Sequence, residues 1–486
     1  MSQDVDIKHL RRRATSGARW TAAATGVRVG LQFLQLAILA RLLRVEDFGV
    51  MAIANVAMAF AVTFSDAGVS NAIIHYRDAK REELSSLYWL NVLGGLVVFV
   101  AMWFAAPLVA RFYHQPTLEP VLRVAASVFI VGPLGQQFQV LFERDLHFGR
   151  LSVVEIASLV AGAVVGIVLA VRGFGVWSLV WSSVLSSVLR SLGLAAIGWA
   201  RWRPMLHFVP RECGRFLHFG AYQMGEKTVN LAAQHLDKLV IGYLLGTGPL
   251  GYYELAYRFI SRPHQIINSL FTRVAFPVFS AVQHDRDRLR KGYLELIEAI
   301  AAIMIPLHLA MFALAEPLVG VQLGPRYETT VALLQILWIA GMAFAITSPV
   351  GTLLLACGRA DIGFWINVVR TTLVIVSVFV GARWGVVGIA WALVVVVVAV
   401  MFPAQAYVRW LVVGMGWGEF VSRLTPFLAA ASVAAAVCIL ARRVIAWPSD
   451  LVELVVMLPV AGAVYLGLLW WRARPRVQRI LRLVRL

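Results

Sequence analysis

A run of ionisable and amide side chains crosses the otherwise apolar stretch from Phe219 to Pro277, and it holds the residues best able to do chemistry. Gln223, Lys227, Asn230, Gln234 and Asp237 recur at steps of three or four, which places them on one face of a helix. Glu254, Arg258 and Arg262 follow at steps of four on the next helix. Near the start of the chain Arg28, Gln32 and Gln35 form a shorter stripe of the same kind, and Asp66 stands in the run Ser65-Asp66-Ala67-Gly68. Arginine and lysine hold anionic groups, arginine with two parallel donors. Asparagine and glutamine offer a donor and an acceptor together. Asp66, Glu226 and Asp237 are candidates for taking up a coupling proton or sodium ion.

Each position also has a plainer reading. Arg28, Lys227, Arg258 and Arg262 can be members of ion pairs inside a bundle, as Glu254 with Arg258 on one helix face. Asp66 can serve as a cap or a packing hydrogen bond, and His235, His264 and His308 can be ordinary hydrogen-bonded histidines. What favours function is depth. A charge at the middle of a bilayer costs at least about 2.5 kcal/mol, so it faces a bundle interior or a water-filled cavity. Two adjacent polar-striped helices among Leu, Val and Ala read as the wall of a hydrophilic pathway.

The elements that position these residues follow from composition. The chain has 486 residues, of which 60% are hydrophobic and 14% charged, and a mean hydropathy of +0.77. That balance excludes a soluble globular domain and defines an all-α polytopic membrane protein. A net charge of +18 invites a nucleic-acid reading, but no basic, aromatic-interleaved soluble domain is present to carry one. Cys213, Cys357 and Cys438 lack metal-ligand spacing. Arg11, Arg12 and Arg13 resemble the charged start of a signal peptide, yet the apolar segment that follows is long, carries Arg28, Gln32 and Gln35, and reads as a retained first span. Gly246-Thr247-Gly248-Pro249-Leu250-Gly251 spells a nucleotide fingerprint, but it follows no strand and joins two membrane helices, so it reads as a tight turn. No motif of an ATPase or hydrolase occurs, and the chain reads as a non-enzyme without a cofactor.

Apolar segments of membrane-spanning length number about fourteen. Basic residues gather in alternate connections, such as Arg77, Lys80 and Arg81, then Arg201, Arg203, Arg211 and Arg215, and put both termini in the cytoplasm. The chain repeats itself. Leu42-Leu43 and Gly49 return as Leu244-Leu245 and Gly251, Pro133-Leu134-Gly135 as Pro349-Val350-Gly351, and Gly175 with Trp181 as Gly385 with Trp391. Six helices per repeat give two bundles of equal orientation, related by a pseudo-twofold axis along the membrane normal, around a central cavity. The expected organisation is an N-terminal lobe at 1–200, a cytoplasmic linker at 201–215, a second lobe at 216–412, and two extra helices with a basic tail at 413–486. Pro133, Pro263, Pro306 and Pro349 are expected bend points. The tail from Arg472 alternates Arg with Leu, Ile and Val and reads as lying on the anionic leaflet.

Several stretches together resemble the oligosaccharide flippases of the multidrug/oligosaccharidyl-lipid/polysaccharide exporter superfamily, in the branch of colanic-acid and teichuronic-acid exporters. They are LARLLRVEDFGVMAIA at 39–54, SDAGVSNAII at 65–74, FERDLHFGRLSVVE at 142–155, GFGVWSLV at 173–180, LDKLVIGYLLGTGPLGYYELAYRF at 236–259 and FPVFSAVQHDRDRLRKGYL at 276–294. The resemblance implies a bacterial inner-membrane protein moving an undecaprenyl-pyrophosphate-linked oligosaccharide to the periplasmic leaflet through inward- and outward-facing states. It implies pyrophosphate contacts from Arg28, Lys227, Arg258 and Arg262, while the hydrogen-bonding groups that sugars need can be supplied by Gln32, Gln35, Gln223, Asn230 and Gln234. Membrane lipids and a polysaccharide polymerase or export complex are the further partners expected, and nucleic acid is not. The alternatives are a cation-coupled multidrug exporter of the same superfamily, a membrane-embedded glycan polymerase or ligase, and a non-transporting scaffold of the assembly complex.

Overall fold

The computed structural model describes residues 24–484 apart from 67, 77 and 146, and excludes the side chains at 74, 75, 219, 222, 226, 269, 270, 272–274, 360 and 473–484. Arg11, Arg12 and Arg13, and the side chain of Glu226, therefore lie outside what is described. Among the described residues the chain is helical with no strand. Ten stretches are long and apolar enough to cross a membrane, from Val45–Asp66 to Asp450–Arg472. One of them, Asp361–Val413, runs for 53 residues and is interrupted near Gly385, whose φ of +69° suits a residue without a side chain. The protein is thus an all-α, multi-pass membrane protein.

Two compact units divide the chain, Met1–Thr247 and Gly248–Leu486. The first holds α1 (24–42), α2 (Val45–Asp66), α3 (Val69–His75), α4 (Arg81–Phe112), α5 (Leu118–Ala126), α6 (Val128–Arg144), α7 (Phe148–Val171), α8 (Val176–Trp199) and α9 (Gly214–Leu245). In lipid there is little hydrophobic drive between helices, so close packing must come from small residues. The α7–α8 pair follows that rule. Gly162 and Gly166 leave room for Ser178, Ser182 and Ser186, which recur every four residues along the facing helix. Farther along α8, Gly135 of α6 meets Ser191 in the same manner.

Helices α2 and α3 are one spanning segment in the sequence but two in the structure. Gly68, at φ +72°, breaks it in the left-handed conformation. A side chain there would also collide with the backbone of Gly220 on α9. The break is thus fixed both by backbone conformation and by a close helix crossing. Around it, Val69, Ile73, Leu87, Val140 and Phe216 form a buried apolar cluster.

The second unit contains most of α10 (Thr247–Ala281), then α11 (Arg286–Ala313), α12 (Ala315–Gln322), α13 (Glu328–Thr347), α14 (Pro349–Ala356), α15 (Ala360–Gly381), α16 (Gly385–Val395), a π-helical turn at Val396–Met401, α17 (Phe402–Val413), α18 (Trp417–Val444) and α19 (Asp450–Val484). Helix α11 packs against α13, α18 and α19 and carries Tyr293, Ile297 and Ile305 into a core shared with Phe420, Phe427 and Cys438. Of the four expected bend points, Pro349 opens a new helix after a break at Ser348, while Pro133, Pro263 and Pro306 sit inside continuous helices. Helices α9 and α10 fall short of the apolarity of the ten spans because they carry the polar stripes.

Gly68→Val should prevent recovery of monodisperse protein, because a β-branched residue in the left-handed region adds about 1–2 kcal/mol of strain to the backbone overlap. Gly225→Ala on α9, where a methyl group meets nothing within 4 Å, should be neutral or stabilising by up to about 1 kcal/mol. Size-exclusion profiles and thermal melts of the two variants check this; equal behaviour would contradict it.

Candidate functional site

Where a helix stops and restarts, the first backbone donors of the new helix need partners from outside it. Asp66 meets this demand in the first unit. Its Oδ1 accepts from the Ser70 amide at 3.2 Å, from the Ser70 hydroxyl at 2.5 Å, and from Gln136 Nε2 of α6 at 2.7 Å. Gln136 also donates to Ser70 Oγ at 3.0 Å, so three helices share one set of bonds. Lys227 of α9 brings its ammonium to 3.7 Å from Oδ2. Asp66 is 8% exposed, whereas the Lys227 side chain is 46% exposed. Beside them Asn71 Nδ2 donates to Gln223 Oε1 at 2.7 Å, a second tie between α3 and α9.

The remaining polar groups of this unit are organised outward from that centre. Arg28 Nη1 lies 4.0 Å from Glu155 of α7, with the Arg28 side chain 47% exposed. Gln35 donates to Ser182 Oγ at 2.8 Å on the serine edge of α8. Arg190 of α8 donates to Gln139 Oε1 at 2.5 Å, and Gln139 donates to Glu143 at 2.8 Å. Gln32 is half-buried, and Asn230 and Gln234 are exposed on α9. Asp237 is buried, with one carboxylate oxygen taken by the amide of Lys238 at 2.8 Å.

In the second unit Glu254 and Arg258 pair along α10, with Arg258 Nε donating to Glu254 Oε1 at 2.9 Å. Glu254 is buried, Arg258 half-buried and Arg262 exposed. His264 lies against Phe344, and the Arg370 guanidinium sits over the same ring at 5.5 Å. The break at Ser348 is tied to α10, since Ser348 Oγ donates to Asn268 Oδ1 at 3.3 Å. His308 is fully buried, its Nδ1 2.7 Å from the Met304 carbonyl, and the missing side chain of Gly341 makes room for its ring.

The structure thus brings Asp66 and Lys227 together, pairs Arg258 with Glu254, and places Arg28 near Glu155. Glu155, Gln136, Ser70, Gln139 and Arg190 were not singled out by helical spacing. A signal for three of them was present. Glu155 ends the stretch 142–155, and Gln136 and Gln139 are amides inside the apolar α6. Chemically, a carboxylate saturated by donors is a fixed anchor, while Lys227 and Arg28 remain partly open to an anion.

The site thus lies in a helical multi-pass membrane scaffold, where the start of α3 is satisfied by buried polar side chains. The solved structure of the lipid II flippase MurJ superposes with a TM-score of 0.76, covering 95% of this chain and all of that one at 15% identity. The family model described as polysaccharide biosynthesis protein matches residues 38–332, and the chain belongs to that family. It is 32% identical over 381 residues to lipopolysaccharide biosynthesis protein WzxC of Escherichia coli (strain K12), covering 78% of this chain and 77% of that protein. It is 29% identical over 425 residues to teichuronic acid biosynthesis protein TuaB of Bacillus subtilis (strain 168), covering 87% and 88%.

Gln136→Leu strips a donor from a buried acceptor and should lower stability by about 1–3 kcal/mol. Lys227→Met, whose ammonium is half exposed, should cost under about 1 kcal/mol. Thermal unfolding in detergent checks the order; a larger loss for Lys227→Met would contradict it.

Proposed function

We propose that the chain translocates an undecaprenyl-pyrophosphate-linked oligosaccharide from the cytoplasmic to the periplasmic leaflet of the bacterial inner membrane, for exopolysaccharide or lipopolysaccharide biosynthesis. Family membership carries this reading. The polar helices support it, because they offer cations to a pyrophosphate and amides to sugars on an otherwise apolar scaffold. Arg28, Lys227, Arg258 and Arg262 hold the pyrophosphate in this proposal, and Gln32, Gln35, Asn230 and Gln234 face the sugars. The polyprenyl tail stays in lipid.

The proposal includes fourteen spanning helices, both termini in the cytoplasm, and alternating access by two six-helix bundles around a central cavity. It rests there on the alternating basic connections and the internal repeat. The chain acts as a transporter and not as an enzyme. A coupling proton or sodium ion would be taken up at Asp66, Glu226 or Asp237. A polysaccharide polymerase or export complex is the partner to which the product would pass. A multidrug exporter for cationic compounds would want an open carboxylate, and the Asp66 oxygens are already engaged, with the side chain 11% exposed.

Transfer of a fluorescent undecaprenyl-pyrophosphate oligosaccharide between leaflets of proteoliposomes, with and without a proton or sodium gradient, tests the reading. The double variant Arg28→Ala with Arg258→Ala should reduce transfer at least about tenfold, equivalent to about 1.4 kcal/mol. Unchanged transfer in the variant would refute the assigned cations. No transfer by the parent protein, with drug efflux intact, would move the function to multidrug export.

A further inference from the structure

The segment 200–213 joins α8 to α9 without forming a helix until Pro210, and it is fixed by an unusual number of bonds for a loop. Most of the hydrogen-bonding groups that anchor it come from the first turns of α4. Ser85 Oγ accepts from the Met205 amide at 3.1 Å, and Trp89 Nε1 donates to the Met205 carbonyl at 2.8 Å. Ser86 Oγ accepts from the Val209 amide at 3.1 Å and donates to Glu212 at 2.8 Å. Arg81 donates to the Arg203 carbonyl at 3.3 Å, and Glu212 in turn holds His207 at 3.1 Å. Trp202 turns inward onto Tyr88 and Phe138.

A segment held this firmly presents a fixed outer face. That face carries Arg201, Arg203, Leu206, Phe208 and Pro210, all exposed, with Leu206 at 95% and Phe208 at 45%. Arg211 continues it. An isolated leucine turned fully outward in water forfeits about 1.5–3 kcal/mol of burial, and here the backbone bonds hold it there.

The depth of the segment is set by α4. Ser85 and Trp89 lie roughly 6 and 12 Å along the helix from Arg81 at about 1.5 Å per residue. Helix α4 has 32 residues, which makes it roughly 48 Å long, about the thickness of a bilayer with its headgroups. Met205 therefore sits roughly 6–12 Å inside the polar end of a spanning helix, with Leu206 beside it, at the boundary of headgroup and acyl chain. Apolar side chains at that level between arginines fit an anionic lipid surface.

We propose that residues 201–211 form a rigid lipid-docking surface in which Leu206 and Phe208 insert between the headgroups of an anionic leaflet and Arg203 and Arg211 hold the phosphates. The surface anchors the first unit to the leaflet on the side of the basic connections. It is independent of the transported substrate.

The test uses the full-length protein in nanodiscs, with Cys213, Cys357 and Cys438 replaced by alanine, and a bimane label at Leu206→Cys. Phe208→Cys serves as a second reporter, and Gln283→Cys, exposed in the turn before α11, as the water-facing control. Phosphatidylglycerol bearing a headgroup nitroxide should quench the label at 206 at least about threefold more than at 283, and iodide should do the reverse. Replacing phosphatidylglycerol by phosphatidylcholine, or introducing Arg203→Gln with Arg211→Gln, should cut the lipid quenching at least about twofold. Iodide quenching at 206 and 208 equal to that at 283 would overturn the proposal and leave the surface to a protein partner. Equal quenching in the two lipids would overturn its anionic part.

Discussion

In the first unit the arrangement depends on a carboxylate that must be surrounded by donors. Asp66 sits where a spanning helix stops and a new one starts, and the start of the new helix leaves backbone amides that need acceptors. Its oxygens gather Ser70, Gln136 and Lys227 from three other helices. A buried carboxylate without donors would cost several kcal/mol, so the acid, the break and the Ser70 and Gln136 donors stand or fall together, while the half-exposed Lys227 adds little. Gly68 completes the constraint, since the left-handed residue and the close approach to Gly220 leave one backbone path.

This economy suits a transporter. A helix that is broken but fully hydrogen-bonded is a defined joint, whereas one with open backbone groups would be unstable in lipid. In the second unit Ser348, just before Pro349 opens α14, bonds to Asn268 of α10. Lys227 adds to its structural contact a partly open ammonium, which is what an anionic substrate needs.

The membrane class, the polar stripes and the family resemblance were all legible in the sequence, because apolar length and helical spacing are local properties. The ion pair of Glu254 with Arg258 was legible for the same reason, being four residues apart on one helix. The Asp66 centre was only half legible. Asp66 itself was conspicuous, but Gln136 is 70 residues away and Lys227 farther still, and no periodicity links them. The break at Gly68 was hidden inside a segment of spanning length, since one left-handed glycine leaves little mark on hydropathy. The outward Leu206 was invisible for a related reason: whether a leucine in a loop is packed or presented depends on serines of another helix.

The central claim is that Asp66 acts as the anchor of a broken helix and not merely as one half of an ion pair. Thermal unfolding in detergent of the exchanged variant Asp66→Lys with Lys227→Asp separates the two. The Ser70 amide can only donate, so a lysine at position 66 leaves it without an acceptor even though the ion pair is restored. The account predicts that the exchanged variant stays less stable than the parent by at least about 1 kcal/mol, the cost of buried donors left without their acceptor. Stability equal to that of the parent would show that the charge pair alone matters, and would contradict it.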